Sequence, residues 1–468
     1  MFYMRYIITL VLIALTFICK GQFITDYLRG DIHIGENKVG IIIRFEEFSD
    51  SKEAKLYIPE QMIYSLKASE TKVIGDSISL KFSKLSAVIS GKITNDVFTG
   101  ICRQAGMELP TNLKFVNKED VSFINRPQTP EPPFPYIEKE YIIENEKGAV
   151  QLGGTLTLPD SVNVHKLVIL VSGSGAQDRN EEIAGHKIFL VIADYLTRNG
   201  IAVFRYDDRG VGKSLGNINE STTADFVEDV NCIIKYFDKH PNIDSKKIGI
   251  LGHSEGGIVA VMTAAKYPKN VAFIINMAGP GVNTKDLMIK QAHDVYLSQG
   301  IHPDTVKILG DMYVDMINAP GNTKNISELR KRLTEIFNYY GPYFNEEQKS
   351  KYKINNSGIN QAVLQFSSPW LNYFIQIKPS EYLKKVKCPV LALNGDMDIQ
   401  IDADMNLNAM EEGLRNGKSE YFEIYKLDGL NHLFQVAENG SVEEYFYIEQ
   451  TIDEQVLKII YEFISKMK

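Results

Sequence analysis

The stretch KKIGILGHSEGGIVAVMTAAKYP, residues 246–268, joins an apolar run to a helix-like run through a glycine-rich turn. Its centre, GHSEG at residues 252–256, fits the pattern G-x-S-x-G, in which small residues let a strand and a helix approach closely around a nucleophile on a sharp turn. An apolar strand precedes Ser254, and a helix is predicted to begin at Glu255 or Gly256. The pattern alone is weak, because an ordinary glycine-rich loop also satisfies it.

The same alternation of strand and helix extends on both sides of this turn. Apolar runs alternate with amphipathic segments in the order KLVILVSG, KIFLVIADYLTRNG, IAVFRYD and TTADFVEDVNCIIKYFDKHP. In the last of these, Thr222 and Asp225 predict a capping box at the start of a helix. Buried apolar strands that alternate with amphipathic helices predict an α/β fold, with a mostly parallel sheet covered by helices on both faces.

The alternation is interrupted once and then resumes. Residues 282–385 are more polar and read as helices, which predicts a helical lid inserted into the α/β domain. The strands CPVLALNGD and SEYFEIYKLDG and the helix TIDEQVLKIIYEFISKMK then complete the domain, which we place at residues 137–468.

The first residues have the pattern of a secretory signal peptide, residues 1–21. Arg5 precedes an apolar run over residues 6–18, and cleavage is expected before Gln22. The alternative, a membrane anchor, needs a longer apolar run than this one. We therefore expect a secreted or periplasmic protein with no stable membrane span after the signal is removed.

Two further regions separate the signal peptide from the α/β domain. Residues 22–125 contain short runs with period-two alternation, such as DSISLKF, and predict a small all-β antiparallel domain. Residues 126–136, RPQTPEPPFPY, are rich in proline and predict an extended linker, because proline cannot join a sheet ladder.

Composition excludes several classes of function. The chain has 468 residues and a net charge of -8, which gives no basic surface for nucleic acid. The four cysteines are far apart and form no CxxC pair, so no metal site is predicted. The fragments GSGAQD and RGVGKS each lack a glycine that a nucleotide-binding loop requires, and no cofactor is expected.

A serine nucleophile needs a base and an acid. His432 follows the last predicted strand, where it can reach over the sheet edge, and we predict it as the base. Asp398 lies just beyond a buried strand, at the sheet edge where α/β active sites assemble, and is the predicted acid, with Asp396 as the alternative. The order Ser254, Asp398, His432 is the chain order of the α/β-hydrolases.

Acyl transfer also needs hydrogen-bond donors for the developing oxyanion. We predict the backbone N–H of Glu255 as one donor and that of Ser174 as the other, with Gly175 as an alternative to Ser174. His253, next to the nucleophile, is expected to pack or hydrogen-bond behind the turn.

Several stretches of the chain together resemble a known family. VSGSGAQDRNE, GHKIFLVIADYLTRNGIAVFRYDDRGVGKS, TTADFVEDV, GHSEGG and CPVLALNGDMDIQI resemble the secreted bacterial α/β-hydrolase esterases, which are related to the serine aminopeptidases and to acyl-CoA thioesterase-like hydrolases. The resemblance covers residues 136–468 and implies the same nucleophile, acid and base. It also implies that Asp207, Asp208 and Arg209 are structural residues near the floor of the pocket. Many lipases have a histidine followed by glycines where this chain has SGSG.

These observations predict a secreted serine carboxylesterase that acts on small-molecule esters with short acyl groups. The aromatic residues of the predicted lid suit an apolar acyl or aromatic group, or simply form the core of the lid: Tyr339, Tyr340, Tyr343, Phe344, Trp370 and Tyr373. One alternative is a serine aminopeptidase, for which Glu346 and Glu347 could recognise a substrate amine. Another is a non-catalytic protein that binds carbohydrate or a surface through the β domain, with a degenerate hydrolase domain.

Overall fold

The computed structural model describes most of the chain after the predicted signal peptide. The described residues are 27–34, 37–48, 51–58, 61, 63–117, 120–121, 125–145, 150–319 and 325–467. The signal peptide predicted at residues 1–21 lies outside them. The chain forms two compact units, Met1–Ser122 and Phe123–Lys468. The sequence places the end of the β domain at residue 125.

The first unit is a single antiparallel sheet of nine strands among its described residues. The strands are β1 (Tyr27–Ile34), β2 (Asn37–Phe48), β3 (Ser51–Ile58), β4 (Ile63–Lys67), β5 (Glu70–Ile74), β6 (Ser77–Phe82), β7 (Ala87–Thr94), β8 (Val97–Gln104) and β9 (Met107–Val116). Their order is β4-β3-β2-β1-β9-β8-β7-β6-β5. Consecutive strands pair as in a meander, except β4 and β5, which are the two edges of the sheet. β1 also pairs with β9, so that Tyr27 lies opposite Val116.

Alternate side chains of these strands form the core of the first unit. On β6, Ile78, Leu80 and Phe82 are buried while the residues between them are more exposed. Each strand thus turns one set of side chains inward, because successive residues of a strand point to opposite faces. The predicted all-β antiparallel domain is confirmed.

In its described residues, the second unit is built on a mixed sheet of eight strands. Its strands are β10 (Ile137–Asn145), β11 (Val150–Leu158), β12 (His165–Val171), β15 (Ala202–Tyr206), β16 (Ile243–His253), β17 (Ile274–Met277), β18 (Val390–Gly395) and β19 (Phe422–Leu427). A separate short hairpin consists of β13 (Glu182–Ile183) and β14 (His186–Lys187). The order of the main sheet is β10-β11-β15-β12-β16-β17-β18-β19. Only β10 and β11 are antiparallel to their neighbours, and the pairs from β15 to β19 are parallel.

Helices cover both faces of this sheet. They are α1 (Ile188–Arg198), α2 (Thr223–Phe237), α3 (Glu255–Lys266), α11 (Ala403–Arg415) and α12 (Glu454–Lys466). Successive residues of β12 enter different cores: Ile169 packs in the core that contains α2, α3 and α11, whereas Leu170 packs in the core that contains α1 and α12. The capping box of Thr222 and Asp225 opens α2 as predicted.

The region predicted as a helical insertion lies between β17 and β18. Its α-helices are α4 (Thr284–Ser298), α5 (Pro303–Asn318), α6 (Ile326–Tyr340), α7 (Glu346–Lys351), α8 (Asn356–Ser367), α9 (Pro369–Phe374) and α10 (Pro379–Leu383). Residues 284–383 contain no strand in their described part, and we call them the helical insertion. Across the described residues, no helix combines the length and the apolar character that crossing a membrane requires.

The proline-rich segment, residues 126–136, contains neither a strand nor a helix. Two of its side chains donate hydrogen bonds to other parts of the second unit. Arg126 donates to the Ala184 carbonyl at 2.7 Å, and Tyr136 Oη donates to Asp194 at 2.9 Å. The predicted linker is therefore held against the rest of the second unit by specific hydrogen bonds.

Candidate active site

Ser254 occupies a strained turn between β16 and α3. Its backbone angles are φ 53° and ψ -120°, and its N–H donates to the Met277 carbonyl of β17 at 2.8 Å. A non-glycine residue with positive φ is uncommon, and such strain costs about 1–3 kcal/mol. The neighbouring strand therefore holds Ser254 in a conformation that it would not adopt by itself.

The two outer glycines of GHSEG are required by close backbone packing. A Cβ atom on Gly252 would collide with the carbonyl oxygen of Gly256, and a Cβ atom on Gly256 would collide with the carbonyl oxygen of Val171 on β12. Backbone atoms at these positions cannot move aside as a flexible side chain could. The helix begins at Glu255, one of the two predicted starts.

His432 and Asp398 form a buried pair. His432 Nδ1 lies 2.7 Å from Asp398 Oδ2, and both side chains are almost completely removed from solvent. The other oxygen, Asp398 Oδ1, accepts the backbone N–H groups of Gln400 and Ile401, each at 2.8 Å. The carboxylate is therefore fixed by the loop after β18, and Nε2 remains the ring nitrogen of His432 that can face a substrate.

Asp396, the alternative acid, has a different partner. Its Oδ1 accepts the backbone N–H of Gly429 at 2.6 Å, in the turn after β19. The structure thus brings Asp398, rather than Asp396, to His432.

The pair lies close to the turn that carries Ser254. The rings of His432 and His253 are 4.8 Å apart between centroids, and His253 directly precedes Ser254. Within the described part of the chain, no hydrogen bond joins Ser254 Oγ to the His432 ring. Such bonds are often long in the absence of substrate and shorten in the substrate complex.

The loop after β12, residues 172–177, passes directly against Ser254. A Cβ atom on Gly173 would lie 3.1 Å from Ser254 Cβ. Two of the loop's N–H groups are already used: that of Gly173 donates to Glu181 Oε1 at 2.7 Å, and that of Gln177 donates to Asp208 Oδ2 at 2.9 Å. Among the described residues, the backbone N–H of Ser174 has no acceptor.

Glu255 also has a backbone N–H without a helical acceptor, because it is the first residue of α3. The two N–H groups predicted to bind an oxyanion, those of Glu255 and Ser174, are thus both available in this neighbourhood. The side chains of the same two residues are hydrogen-bonded to each other, from Ser174 Oγ to Glu255 Oε2 at 2.7 Å.

The carboxyl group of Glu255 is buried and links three parts of the unit. Besides Ser174, it accepts hydrogen bonds from Thr223 Oγ1 of α2 at 2.6 Å and from Trp370 Nε1 of α9 at 2.9 Å. Burial raises the pKa of this carboxyl group, although these three donors act in the opposite direction. A single side chain next to Ser254 therefore connects the loop at residues 172–177, helix α2 and the helical insertion.

The charged side chains of the segment YDDRG, residues 206–210, are held by ion pairs and hydrogen bonds. Asp207 forms an ion pair with Arg179 at 2.6 Å, and Arg209 forms one with Asp229 at 2.6 Å. Asp208 accepts a hydrogen bond from Ser172 Oγ at 3.0 Å, so its carboxyl group contacts the loop at residues 172–177.

Comparison with known proteins finds a family model that matches part of this chain. Residues 182–331 match the family described as serine aminopeptidase, S33. This chain has an α/β-hydrolase domain. The predicted fold class and the resemblance to hydrolases of this family are confirmed, and the hydrolase class of the protein follows from them. Secretion stays a prediction.

Individual relatives of the hydrolase differ in their described activities. Esterase EstD of Thermotoga maritima is 22% identical over 332 residues, which cover 71% of this chain and 69% of EstD. Polyketide transferase GrgF of a Penicillium species is 25% identical over 256 residues, which cover 54% of this chain and 77% of that protein. A solved structure of the Pyrococcus furiosus esterase Pf2001 has 16% identity and a TM-score of 0.45, and the match covers 74% of this chain and 98% of that one.

Sequence reasoning did not find several side chains that surround Ser254 in the hydrolase. Glu181 and Thr223 lie in stretches that resemble the family, but the sequence predicts no role for either side chain. Trp370 is predicted only as one aromatic residue of the lid. The one available clue was a glutamate directly after the predicted nucleophile, since a carboxylate buried at a helix start requires donors from elsewhere.

Proposed function

We propose that the protein is a serine carboxylesterase that hydrolyses short-chain acyl esters through an acyl-enzyme intermediate. The observation that carries this proposal is the 2.7 Å hydrogen bond between His432 Nδ1 and Asp398 Oδ2, next to the strained turn at Ser254. A carboxylate on Nδ1 holds the imidazole in the tautomer whose Nε2 can accept a proton, and it stabilises the imidazolium that forms.

In the first half of the reaction, Ser254 Oγ attacks the carbonyl carbon of the ester. His432 Nε2 accepts the proton of the hydroxyl group as the new C–O bond forms. The carbonyl oxygen becomes an oxyanion, and the backbone N–H groups of Glu255 and Ser174 stabilise it. His432 then protonates the leaving alcohol, and the acyl group remains on Ser254.

In the second half, water replaces the alcohol. His432 removes a proton from the water, whose oxygen attacks the acyl carbon and forms a second oxyanion. This intermediate collapses, the carboxylic acid leaves, and the proton returns from His432 to Ser254 Oγ. No cofactor or metal is needed for either half.

The preference for short acyl groups is inferred from the position of Trp370. Its indole N–H is hydrogen-bonded to Glu255, the residue after the nucleophile, so the helical insertion lies over the turn. The ring stacks on Phe374 with centroids 5.2 Å apart, which fixes it further. A rigid aromatic wall this close to Ser254 limits the length of chain that the site can accept, and in this sense the insertion acts as a lid.

The aminopeptidase alternative receives less support. A peptidase of that kind needs an acidic side chain free to bind the substrate amine. The carboxylate of Glu255 is already occupied by Ser174, Thr223 and Trp370. Glu346 and Glu347, the predicted candidates, are exposed at the start of α7.

The test combines active-site labelling with a substrate panel. A fluorophosphonate probe should label the wild-type protein and the control Ser357→Ala, which alters an exposed serine of α8, but not Ser254→Ala. Hydrolysis of p-nitrophenyl acetate and butyrate should exceed that of aminoacyl p-nitroanilides. A folded wild-type protein that does not react with the probe would refute the serine-hydrolase proposal, and a preference for the anilides would favour the peptidase.

We also propose that the protein is exported, on the basis of the signal-like pattern at residues 1–21. Expression of the full chain in a bacterium, followed by mass spectrometry of the mature N-terminus, should find Gln22 as the first residue. An uncleaved N-terminus in the cytoplasmic fraction would contradict export.

A further inference from the structure

A second acidic residue and a second histidine lie next to the predicted catalytic pair. His253 Nδ1 is 2.9 Å from Glu181 Oε1, and His253 Nε2 is 2.9 Å from the carbonyl oxygen of His432. The side chains of His253 and Glu181 are 2% and 0% exposed. The mechanism above uses neither of these side chains.

The contacts of His253 define its charge. Both ring nitrogens face oxygen atoms, and a backbone carbonyl can only accept a hydrogen bond. Glu181 Oε1 also accepts the N–H of Gly173 at 2.7 Å, as expected of a carboxylate oxygen with lone pairs to spare. A neutral imidazole has only one N–H, so two acceptors call for an imidazolium with a proton on each nitrogen.

The charges around His253 point in the same direction. Burial by itself lowers the pKa of this ring, but the charge and the hydrogen bond of Glu181, the carbonyl of His432 and the charge of Asp398 outweigh it, and the pKa is raised. Glu181 Oε2 is buried without a partner in the described part of the chain, so the cation is the main compensation for this carboxylate. The acidic groups Asp208 and Glu255 also contact the loop at residues 172–177, through Ser172 and Ser174.

We propose that Glu181 and His253 are positioning residues, which as a buried carboxylate and imidazolium hold the loop at residues 172–177 and the backbone of His432 in place for the reaction at Ser254. On one side Glu181 fixes the N–H of Gly173, the residue before the predicted oxyanion donor Ser174. On the other side, His253 binds the backbone carbonyl of His432, the predicted base. The proposal rests on the proposed function, since it assigns these two contacts to an acyl-transfer site.

The pair has an electrostatic consequence for the base. The imidazolium of His253 lies between Glu181 and His432, with the two rings 4.8 Å apart, so His432 faces the positive end of the pair. A nearby cation disfavours a second one. A change in the charge of His253 should therefore alter the rate at which His432 accepts the proton of Ser254 Oγ.

The charge state can be measured without altering the protein. In wild-type protein labelled with ¹⁵N-histidine, NMR should show both nitrogens of His253 protonated between about pH 6 and 8. His186 is a control within the same unit: its Nε2 faces the Tyr445 carbonyl at 2.9 Å, but its Nδ1 faces the Thr451 hydroxyl group, which can donate. Burial and the charge of Arg126 lower the pKa of His186 to about 3, so it should show one protonated nitrogen.

Kinetics then test the positioning role. Glu181→Gln keeps the shape and an acceptor oxygen but removes the charge, and Glu182→Gln makes the same change at the next residue, whose side chain is partly exposed. Glu181→Gln should lower kcat about 10- to 100-fold, the effect of losing one charge-assisted hydrogen bond, with little change in KM. Glu182→Gln should leave kcat and KM close to their wild-type values.

The outcomes separate this proposal from the proposed function. A single protonated nitrogen on His253 in the wild-type protein would overturn the charged pair even if Glu181→Gln fails to fold. Kinetics of Glu181→Gln that match those of Glu182→Gln would overturn the positioning role. A wild-type protein that no fluorophosphonate labels would instead refute the serine hydrolase, whatever the charge of His253.

Discussion

Asp208 is a partly buried acidic group whose replacement should stabilise the protein. Burial raises the pKa of its carboxyl group from 3.8 to about 7, against the effect of hydrogen bonds from Gln177 and Ser172, and the charges of Glu181 and Glu255 raise it further. Asparagine can satisfy the same contacts, because its carbonyl oxygen can accept the Gln177 N–H while its amide group donates to Ser172 Oγ. Asp208→Asn thus removes a partly buried charge without creating a cavity.

The size of the effect follows from the two pKa values. Because the pKa is raised in the folded state, the unfolded chain loses this proton first as the pH rises from 3.8 to about 7, and the folded state loses stability over that interval. The charged form costs about 4 kcal/mol at pH 8 and about 2 kcal/mol at pH 5. The stability advantage of Asp208→Asn over wild type should therefore grow by about 2–3 kcal/mol from pH 5 to pH 8.

Urea unfolding at the two pH values measures this gain. The chain has one tryptophan, Trp370, and its fluorescence reports unfolding of the α/β unit. Asp304→Asn, which changes an exposed carboxyl group at the start of α5, is the matched control and should show the same stability difference at both pH values. If the difference in unfolding free energy between Asp208→Asn and wild type does not grow with pH, the raised pKa of this carboxyl group is refuted.

Three other substitutions test the surroundings of Ser254. Trp370→Phe keeps an aromatic ring but removes the N–H that Glu255 accepts, so the free energy of unfolding should fall by about 2 kcal/mol in urea titrations and hydrolysis of longer p-nitrophenyl esters should rise relative to the acetate; unchanged stability would contradict the linkage. Gly252→Ala should lose at least about 3 kcal/mol or fail to fold by circular dichroism, because the methyl group meets backbone atoms; normal stability would contradict the packing argument. Asp398→Asn should lower kcat by about four orders of magnitude while Asp396→Asn stays within about tenfold of wild type; the reverse ranking would exchange their roles.

The architecture of the second unit could be predicted because its patterns are local. The strand β12 is a continuous apolar run, and α2 has an apolar face and a capping box, so each element is visible within its own segment. Ser254, Asp398 and His432 could be nominated because each follows a predicted strand, and the carboxyl ends of parallel strands meet at one edge of a sheet. The choice between Asp398 and Asp396 could not be made in this way, since both follow β18 and only the path of the turn decides which one faces His432.

The side chains around the site could not be predicted because their contacts are long-range. Glu181 lies in a polar loop and meets His253 from 72 positions earlier in the chain. Trp370 reaches Glu255 from 115 positions later, out of a helix whose own pattern explains it as packing. Pairings of this kind depend on how loops cross the sheet edge, which a single sequence does not encode in any short motif.

The direct pairing of β17 with β18 has a consequence for how such proteins diversify. Ile274 lies opposite Val390, so the sheet closes across the gap from which the helical insertion emerges. Segments between the two strands can lengthen, shorten or be exchanged by recombination while the strand register stays the same. The proposed catalytic residues follow β16, β18 and β19 and lie outside this segment, so an exchange of the insertion need not alter them. Trp370 and its contact with Glu255 mark the point where an exchanged insertion would have to be matched to the inherited core.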